Sequence, residues 1–240
     1  MIKFVDIHQH VAYGIDDGAR NVRSARRLID ASYTAGVCII IATPHIQSGR
    51  KAFDSVEYFE VIDKLNQYCR DQKYDMDVLP GAEVMYTDAT IRLLDAGYIP
   101  TLNNSRYVLV EWKNPISITA FSQNIRDMAN AGYIPVIAHI ERYRGLWFRA
   151  RYIQQLRSIY DFRIQMDCDV LVGKSSIFER MFANRLLKLR LVDYLATDAH
   201  NVTDRRVNIK EAYSIVKRRF GRKYARELTY INQLEILGDE

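Results

Sequence analysis

Short apolar runs alternate along this sequence with longer segments whose apolar residues recur at helical spacing. Several runs are apolar at consecutive positions, as is typical of parallel strands covered on both faces. The alternation predicts an α/β protein with a largely parallel sheet. The predicted strands are 4–7, 37–42, 76–79, 107–111, 135–138, 162–167 and 193–197. The predicted helices are 22–35, 55–72, 87–96, 117–131, 149–160, 175–189 and 205–220, followed by a helical extension over 222–230 and 232–237.

The composition is that of an ordinary globular protein, with 48% hydrophobic residues among 240 and a formal net charge of +5. We expect one domain over residues 1–240, because no linker rich in proline, glycine or serine interrupts the alternation. The small positive surplus comes without zinc-finger spacing or an RNA-binding aromatic motif. We therefore expect no nucleic-acid partner.

The sequence also predicts a cytoplasmic protein that does not insert into a membrane. Its three cysteines are far apart and form no CxxC pair, which favours a reducing compartment. The N-terminus has no signal-peptide pattern. No run approaches the roughly 18 apolar residues that a membrane-spanning helix needs.

Every predicted strand ends at, or leads into, a histidine or a carboxylate, and all five histidines fall at such positions. The C-terminal ends of the strands in a closed α/β barrel meet on one face, whereas an open sheet would spread these groups along a line. The pattern therefore favours a closed barrel with a polar site at this face. The residues concerned are Asp6, His8, His10, Asp16, Asp17, His45, Glu83, Glu111, His139, Glu141, Asp167, Asp198 and His200.

This cluster has the composition of a metal site. Residues two apart on an extended chain point the same way, so His8 with His10, and Asp198 with His200, can address one centre. Imidazole and carboxylate without thiolate suit manganese, iron or catalytic zinc, and so many carboxylates can hold two or three divalent ions. Spacing does not decide between Asp16 and Asp17 as a ligand.

Other hydrolytic chemistries fit poorly. A cysteine-based phosphatase needs a phosphate-binding loop that starts at its cysteine and closes on an arginine. Cys168 is followed by Asp169, and Lys174 stands where that arginine should be. The sequence has no GxSxG, GxxxxGK[ST] or GxGxxG motif, which disfavours serine-hydrolase and nucleotide-driven readings.

The motifs around these residues, in this order and spacing, match a known family over nearly the whole chain. They are Asp6-Ile7-His8-Gln9-His10, Asp16-Asp17-Gly18, Thr43-Pro44-His45, Gly81-Ala82-Glu83, Leu102-Asn103-Asn104-Ser105-Arg106-Tyr107 with Glu111, Ile137-Ala138-His139-Ile140-Glu141-Arg142-Tyr143 and Thr197-Asp198-Ala199-His200-Asn201. The chain resembles the PHP (polymerase and histidinol phosphatase) superfamily. More narrowly, it resembles the bacterial tyrosine-protein phosphatases encoded with capsular and exopolysaccharide synthesis genes.

The resemblance implies a distorted (β/α)7 barrel with two or three divalent ions, most commonly manganese, with iron or zinc as alternatives. It also implies hydrolysis of phosphotyrosine by a metal-bound hydroxide, and a tyrosine-phosphorylated protein as partner, in particular the tail of a polysaccharide-synthesis tyrosine kinase. Two arginines would bind the phosphate, at Arg142 and Arg205. The implied ligands are His8, His10, Asp17, His45, Glu83, Glu111, His139, Asp198 and His200.

Several alternatives stay open at this point. The chain can instead be a PHP phosphoesterase for a small molecule such as histidinol phosphate, or a metal-stabilised module that binds a kinase tail without turnover. Arg142 can instead form a surface ion pair with Glu141 or a neighbour, and Arg205 can pair with the charged residues around it. For Glu141 itself, a solvated carboxylate at the rim is favoured over a side chain facing the site.

Overall fold

The structure is a computed structural model that describes residues 2–47 and 53–238. Its strands are β1 (Phe4–Gln9), β2 (Val37–Ala42), β3 (His45–Gln47), β4 (Asp77–Pro80), β5 (Glu83–Met85), β6 (Tyr107–Glu111), β7 (Ile134–Ile137), β8 (Arg163–Asp167) and β9 (Tyr194–Ala196). Its helices are α1 (Val22–Ala35), α2 (Ser55–Asp71), α3 (Thr90–Asp95), α4 (Ile118–Asn130), α5 (Ala150–Arg157), α6 (Cys168–Leu171), α7 (Ile177–Lys188), α8 (Ile209–Phe220), α9 (Arg222–Arg226) and α10 (Leu234–Leu237). A π-helical turn, Glu227–Ile231, joins the last two helices.

All strand pairs are parallel, in a sheet of order β1-β2-β4 and a sheet of order β3-β5-β6-β7-β8-β9. A parallel bridge between Gln9 and Ala199 joins β1 to the segment after β9. There the N–H of His10 donates to the carbonyl of Ala199 at 3.0 Å, and the N–H of Asp198 donates to that of His8 at 2.9 Å. The two sheets thus curl into one distorted barrel, as the sequence predicts.

Two barrel strands are interrupted, and this accounts for the nine strand segments in the part of the chain that the structure describes, where the sequence predicts seven. Thr43-Pro44 separates β2 from β3, and Gly81-Ala82 separates β4 from β5. Buried Tyr58 of α2 spans both interruptions: its hydroxyl lies 2.8 Å from the carbonyl of Ala42 and accepts a hydrogen bond from the N–H of Gly81 at 2.9 Å. The sequence pattern did not predict β3 and β5, because three residues are too few to show alternation.

The remaining elements lie close to the predicted ones. Helix α1 and strand β6 have the predicted bounds, and α1 stops at Gly36, whose φ of 96° suits glycine. Helix α8 begins at Ile209 rather than at 205, so Arg205 lies in the loop that follows β9. Within residues 2–47 and 53–238, no helix combines the length and the apolar character needed to cross a membrane.

The C-terminal residues cover the barrel end opposite the predicted site. Glu235 accepts hydrogen bonds from Tyr107 and Arg163, the first residues of β6 and β8. Ile236 is buried with alternate strand residues such as Val5 and Leu109. The N-terminal end of the barrel is therefore closed, and the C-terminal ends of the strands remain for a site.

Candidate metal centre

Glu83 lies at the centre of the polar cluster. It is fully buried, and its Oε2 lies 2.9 Å from His45 Nδ1, 3.2 Å from His8 Nε2 and 3.3 Å from His10 Nε2. Its other oxygen, Oε1, lies 2.7 Å from His139 Nε2. The interruption before β5 makes this possible, because Glu83 is the first residue after it.

Asp198 forms a second focus with the histidines near both ends of the chain. Its Oδ1 lies 3.1 Å from His10 Nε2, 3.4 Å from His8 Nε2 and 3.5 Å from His200 Nδ1. The Nε2 atoms of His8 and His10 are 3.2 Å apart, so the two imidazoles converge as their spacing predicts. The bridge that closes the barrel therefore also joins the two halves of the cluster.

Asp17 and Glu111 complete the cluster on its outer side. Asp17 Oδ1 lies 3.4 Å from His200 Nε2 and 3.6 Å from His45 Nε2, on a side chain that is 66% exposed. Glu111 Oε1 lies 3.3 Å from His45 Nδ1. The cluster is thus buried on the barrel side and open to solvent beside Asp17.

The potential ligand atoms fall into three overlapping groups, and within each group all the atoms lie within 4.8 Å of one another. Since the groups share His10, His45 and Glu83, they describe adjacent positions rather than separate sites. His139 joins them through its contact with Glu83. The groups are His10, Asp17, His45 and His200; His8, His10, Glu83 and Asp198; and His45, Glu83 and Glu111.

Asp16, the alternative that spacing leaves open, has a different surrounding. Its Oδ2 lies 2.6 Å from His10 Nδ1 and accepts from the N–H of His45 at 2.9 Å, while Oδ1 accepts from the N–H of Gly18. Burial opposes ionisation, but these hydrogen bonds outweigh it and lower the pKa of Asp16 to about 2. A proton held on His10 Nδ1 by Asp16 leaves Nε2 free to act as a ligand.

Gln165 positions two further histidines, and the sequence pattern missed it. Its Oε1 accepts a hydrogen bond from the backbone N–H of His139 at 2.6 Å and lies 3.3 Å from His8 Nδ1. It thereby favours the His8 tautomer with Nε2 free towards Glu83. Alternation along β8 puts Gln165 on the same face as Asp167, a signal that could have revealed it.

His139 and Asp198 both adopt left-handed backbone conformations, with φ of 32° and 50°. Such conformations cost non-glycine residues about 1–3 kcal/mol and concentrate at functional sites. Each residue closely follows a barrel strand, β7 or β9, so the turn redirects its side chain towards the cluster. The strain therefore coincides with two of the predicted ligands.

The structure brings both predicted arginines to the cluster. The Nη2 atoms of Arg142 and Arg205 each lie 2.7 Å from Asp198 Oδ2, and Arg142 Nη2 also bonds Asp167. The side chains remain 38% and 35% exposed, so solvent reaches both guanidinium groups. The ion pairs of Arg142 are therefore with carboxylates of the site and not with Glu141.

The expectation that Glu141 is a solvated rim carboxylate was wrong. Glu141 is 1% exposed, because its short turn folds inwards after β7, and its Oε1 accepts from the N–H of Asp167 at 3.2 Å. Burial, and then the charge of Asp167, raise the pKa of Glu141 to about 8. Burial likewise raises the pKa of Asp167 to about 6, although Arg142 opposes the shift.

Two properties of the cluster suit it to divalent cations: buried ligand atoms without a hydrogen-bond partner, and its negative charge. Four buried atoms of the set make no hydrogen bond: Glu83 Oε2, Asp198 Oδ1, His139 Nδ1 and His200 Nε2. Leaving such a group unpaired costs about 1–3 kcal/mol. Burial disfavours charge on His45, yet Glu111 and Glu83 raise its pKa to about 10, so the carboxylates attract positive charge.

Comparisons with known proteins identify the family of the chain. The family model described as capsular polysaccharide synthesis, CpsB/CapC, matches residues 4–238. The tyrosine-protein phosphatase CpsB of Streptococcus pneumoniae is 29% identical over 247 residues, covering 98% of this chain and 99% of that protein.

Solved structures extend the similarity to three dimensions. One, from work on YwqE of Bacillus subtilis and CpsB of Streptococcus pneumoniae, described as unique metal-dependent tyrosine phosphatases, has a TM-score of 0.88 at 29% identity. It covers 98% of this chain and 95% of that chain. The histidinol phosphate phosphatase of Lactococcus lactis, at 14% identity and a TM-score of 0.54 over 94% of both chains, shares the fold. The resemblance predicted from the motifs is confirmed, since the family model matches nearly the whole chain: this chain belongs to the CpsB/CapC family of capsular polysaccharide synthesis.

Proposed function

We propose that this chain is a metal-dependent tyrosine-protein phosphatase that hydrolyses phosphotyrosine on a protein of capsular or exopolysaccharide synthesis. One observation carries the proposal. Two partly exposed guanidinium groups, of Arg142 and Arg205, meet at Asp198 on the edge of a buried imidazole and carboxylate cluster. Relatives that cover nearly the whole chain are named tyrosine-protein phosphatases.

The cluster would hold two or three divalent ions, manganese foremost, with iron or zinc as alternatives. Bound divalent cations supply positive charge to phosphoryl oxygens and lower the pKa of water. The proposed ligands are His8, His10, Asp17, His45, Glu83, Glu111, His139, Asp198 and His200.

Arg142 and Arg205 would bind the non-bridging oxygens of the phosphate. Each guanidinium uses only Nη2 for its hydrogen bonds to the described residues, which leaves donors on Nε and Nη1. Such planar donors match phosphate oxygens in pairs and stabilise the charge that develops in the transition state. Asp198 Oδ2 holds both guanidinium groups in place before the substrate binds.

Water is the expected nucleophile, because Cys168, the cysteine that a covalent mechanism would use, is not available for attack. Cys168 is fully buried, and burial raises the pKa of its thiol well above the usual value. The tyrosyl leaving group has a pKa of about 10 and needs less protonation than an alkyl alcohol. We therefore expect no covalent intermediate on the enzyme.

Chelation tests the proposal. EDTA should abolish hydrolysis of p-nitrophenyl phosphate and of phosphotyrosyl peptides, and Mn²⁺ should restore it. The C168S variant should retain activity as the matched control. Activity that survives complete removal of metal would refute the proposal, and a large loss in C168S would favour a cysteine mechanism.

A substrate panel separates the proposal from its alternatives. A small-molecule phosphoesterase should strongly prefer histidinol phosphate or another metabolite over phosphotyrosyl peptides. A module without catalytic function should bind the peptide and release no phosphate.

We further propose that the natural substrate is the tail of a polysaccharide-synthesis tyrosine kinase, that the chain forms one domain over 1–240, and that it acts in the cytoplasm.

A further inference from the structure

A groove between α5 and α7 lies outside the proposed metal centre. Its volume is about 590 Å³, within the usual range of roughly 300–1,000 Å³ for ligand sites. Trp147 stacks on Phe178 with ring centroids 5.4 Å apart, and Phe178 and Met181 are 50% and 55% exposed. Aromatic residues and methionine that stay accessible in one patch are typical of binding surfaces.

The charge of the groove is of one sign. Its lining includes Arg151, Arg185 and Lys188 and no carboxylate. Each of these cations is exposed, and none forms an ion pair with a described residue. An apolar floor with unpaired cations along it is complementary to an acidic segment that also carries an apolar side chain.

The groove is joined to the turn that carries Arg142. Trp147 Nε1 donates a hydrogen bond to the carbonyl of Glu141 at 2.8 Å, and Glu141 precedes Arg142 in the chain. The groove wall and the proposed phosphate ligand therefore belong to one short segment, 140–147, with two 3-10 turns. Helix α7, which forms the other wall of the groove, also contacts the turn Ile140–Arg142, so the groove adjoins the segment that would hold the phosphotyrosine.

We propose that the groove binds an acidic segment, with an apolar side chain, that flanks the phosphotyrosine of the protein substrate. This proposal rests on the proposed phosphatase function and adds a sequence preference to it. The groove then selects among phosphotyrosyl proteins, while free phosphotyrosine does not depend on it.

A binding experiment with two matched phosphonate peptides, in which the tyrosine carries a hydrolysis-resistant phosphate mimic, tests the proposal. One peptide has glutamates and a phenylalanine beside the modified tyrosine, and the other has glutamine and alanine there. The wild type should bind the acidic peptide more tightly, and R185E/K188E should weaken that binding by about tenfold at low salt. The affinity for the neutral peptide should not change.

The K217E/R218E variant is the matched control. These exposed residues lie in the last turn of α8, a 12-residue helix like α7, so net charge and helix-end electrostatics change equally. An equal loss in both double variants, or equal wild-type affinity for the two peptides, would overturn the proposal. The proposal would also be overturned if R185E/K188E bound anionic lipid vesicles less tightly than the wild type but kept its affinity for the acidic peptide. That result would assign the groove to a membrane surface.

Two readouts locate the effect and separate it from catalysis. The chain has two tryptophans, of which Trp112 is buried, so acidic peptide should change the emission of Trp147 and W147F should lose that change. R185E/K188E should hydrolyse free phosphotyrosine at the wild-type rate. If the wild type does not hydrolyse phosphotyrosine at all, the proposed function is wrong, while the peptide affinities still decide the role of the groove.

Discussion

Asp198 divides its two oxygens between two kinds of partner. Oδ1 lies near three imidazoles, whereas Oδ2 accepts from Arg142 and Arg205. The same carboxylate therefore connects the proposed cation cluster to the proposed phosphate ligands. A substrate phosphate would therefore meet the guanidinium donors that Oδ2 leaves free, on Nε and Nη1 of both arginines.

Replacing Arg142 with alanine should lower kcat/KM for phosphotyrosine by about 10²-fold, because one donor to the transition state is lost. The bound metal should not change, since Arg142 is not a proposed ligand. R142K should recover only part of the activity, because a lysine lacks the planar pair of donors. Steady-state kinetics with elemental analysis measure both effects, and unchanged kinetics would remove Arg142 from the mechanism.

Replacing Gln165 with leucine should weaken metal binding by about 10–100-fold, as is usual when a residue that orients ligands is lost. The reason is that His8 and the backbone of His139 lose their shared acceptor. Exposed Gln154 of α5 supplies the control, Q154L. Titration of metal-free protein with Mn²⁺ measures the change, and equal affinities in both variants would contradict it.

The interruptions in β2/β3 and β4/β5 are the features of the barrel elements that matter most for the site. They place His45 and Glu83 at the start of new strand segments that pair directly with each other. If β2 and β4 continued without a break, successive side chains would keep pointing to alternate faces of the sheet. The interruption changes which face the side chains of His45 and Glu83 point to. The hydroxyl of buried Tyr58 forms hydrogen bonds with backbone groups at both interruptions.

The Y58F variant should be destabilised by about 1–3 kcal/mol, because backbone groups at both interruptions lose their buried partner. Tyr68 lies on the same helix and bonds the side chain of Asp30 near the surface, so Y68F should lose less. Urea unfolding of the metal-free proteins gives both free energies. Equal losses would show that the position of the hydroxyl is irrelevant.

The sequence predicts most of the fold and the membership of the cluster, but less of its detail. Buried runs and glycine stops such as Gly36 are local signals, so they locate strands and helices well. Whether Asp16 or Asp17 faces the cluster depends on the turn after His10. In that turn a Cβ on Gly18 would lie 2.4 Å from the carbonyl oxygen of His10, so the backbone at Gly18 packs directly against His10. The roles of Gln165 and Glu141 depend on contacts between β7 and β8, which no local pattern contains.

At the scale of the whole molecule, one end of the barrel is closed by packing and the other end carries the proposed metal centre. The C-terminal extension packs against the starts of the strands through Glu235 and Ile236, and the proposed centre lies at the other end. We therefore expect stability and chemistry to be separable by mutation, because the hydrogen-bond and packing partners of Glu235 and Ile236 among the described residues include none of the proposed ligands.

Replacing Ile236 with alanine should cost about 2–5 kcal/mol of unfolding free energy, since a buried side chain leaves a cavity. The kcat of the folded protein should stay at the wild-type level. Ile231, which is 46% exposed in the same extension, provides the control I231A. Denaturant unfolding and phosphatase assays below the transition test both statements, and a loss of kcat without a loss of stability would contradict them.

The parallel bridge between Gln9 and Ala199 has a consequence for biosynthesis. His8 and His10 leave the ribosome well before Asp198 and His200, because a long stretch of sequence separates the two pairs. Pairings of such long sequence separation form late in folding. A nascent chain thus exposes isolated histidines before the complete set exists, and we expect selection of the correct metal only after the barrel has closed.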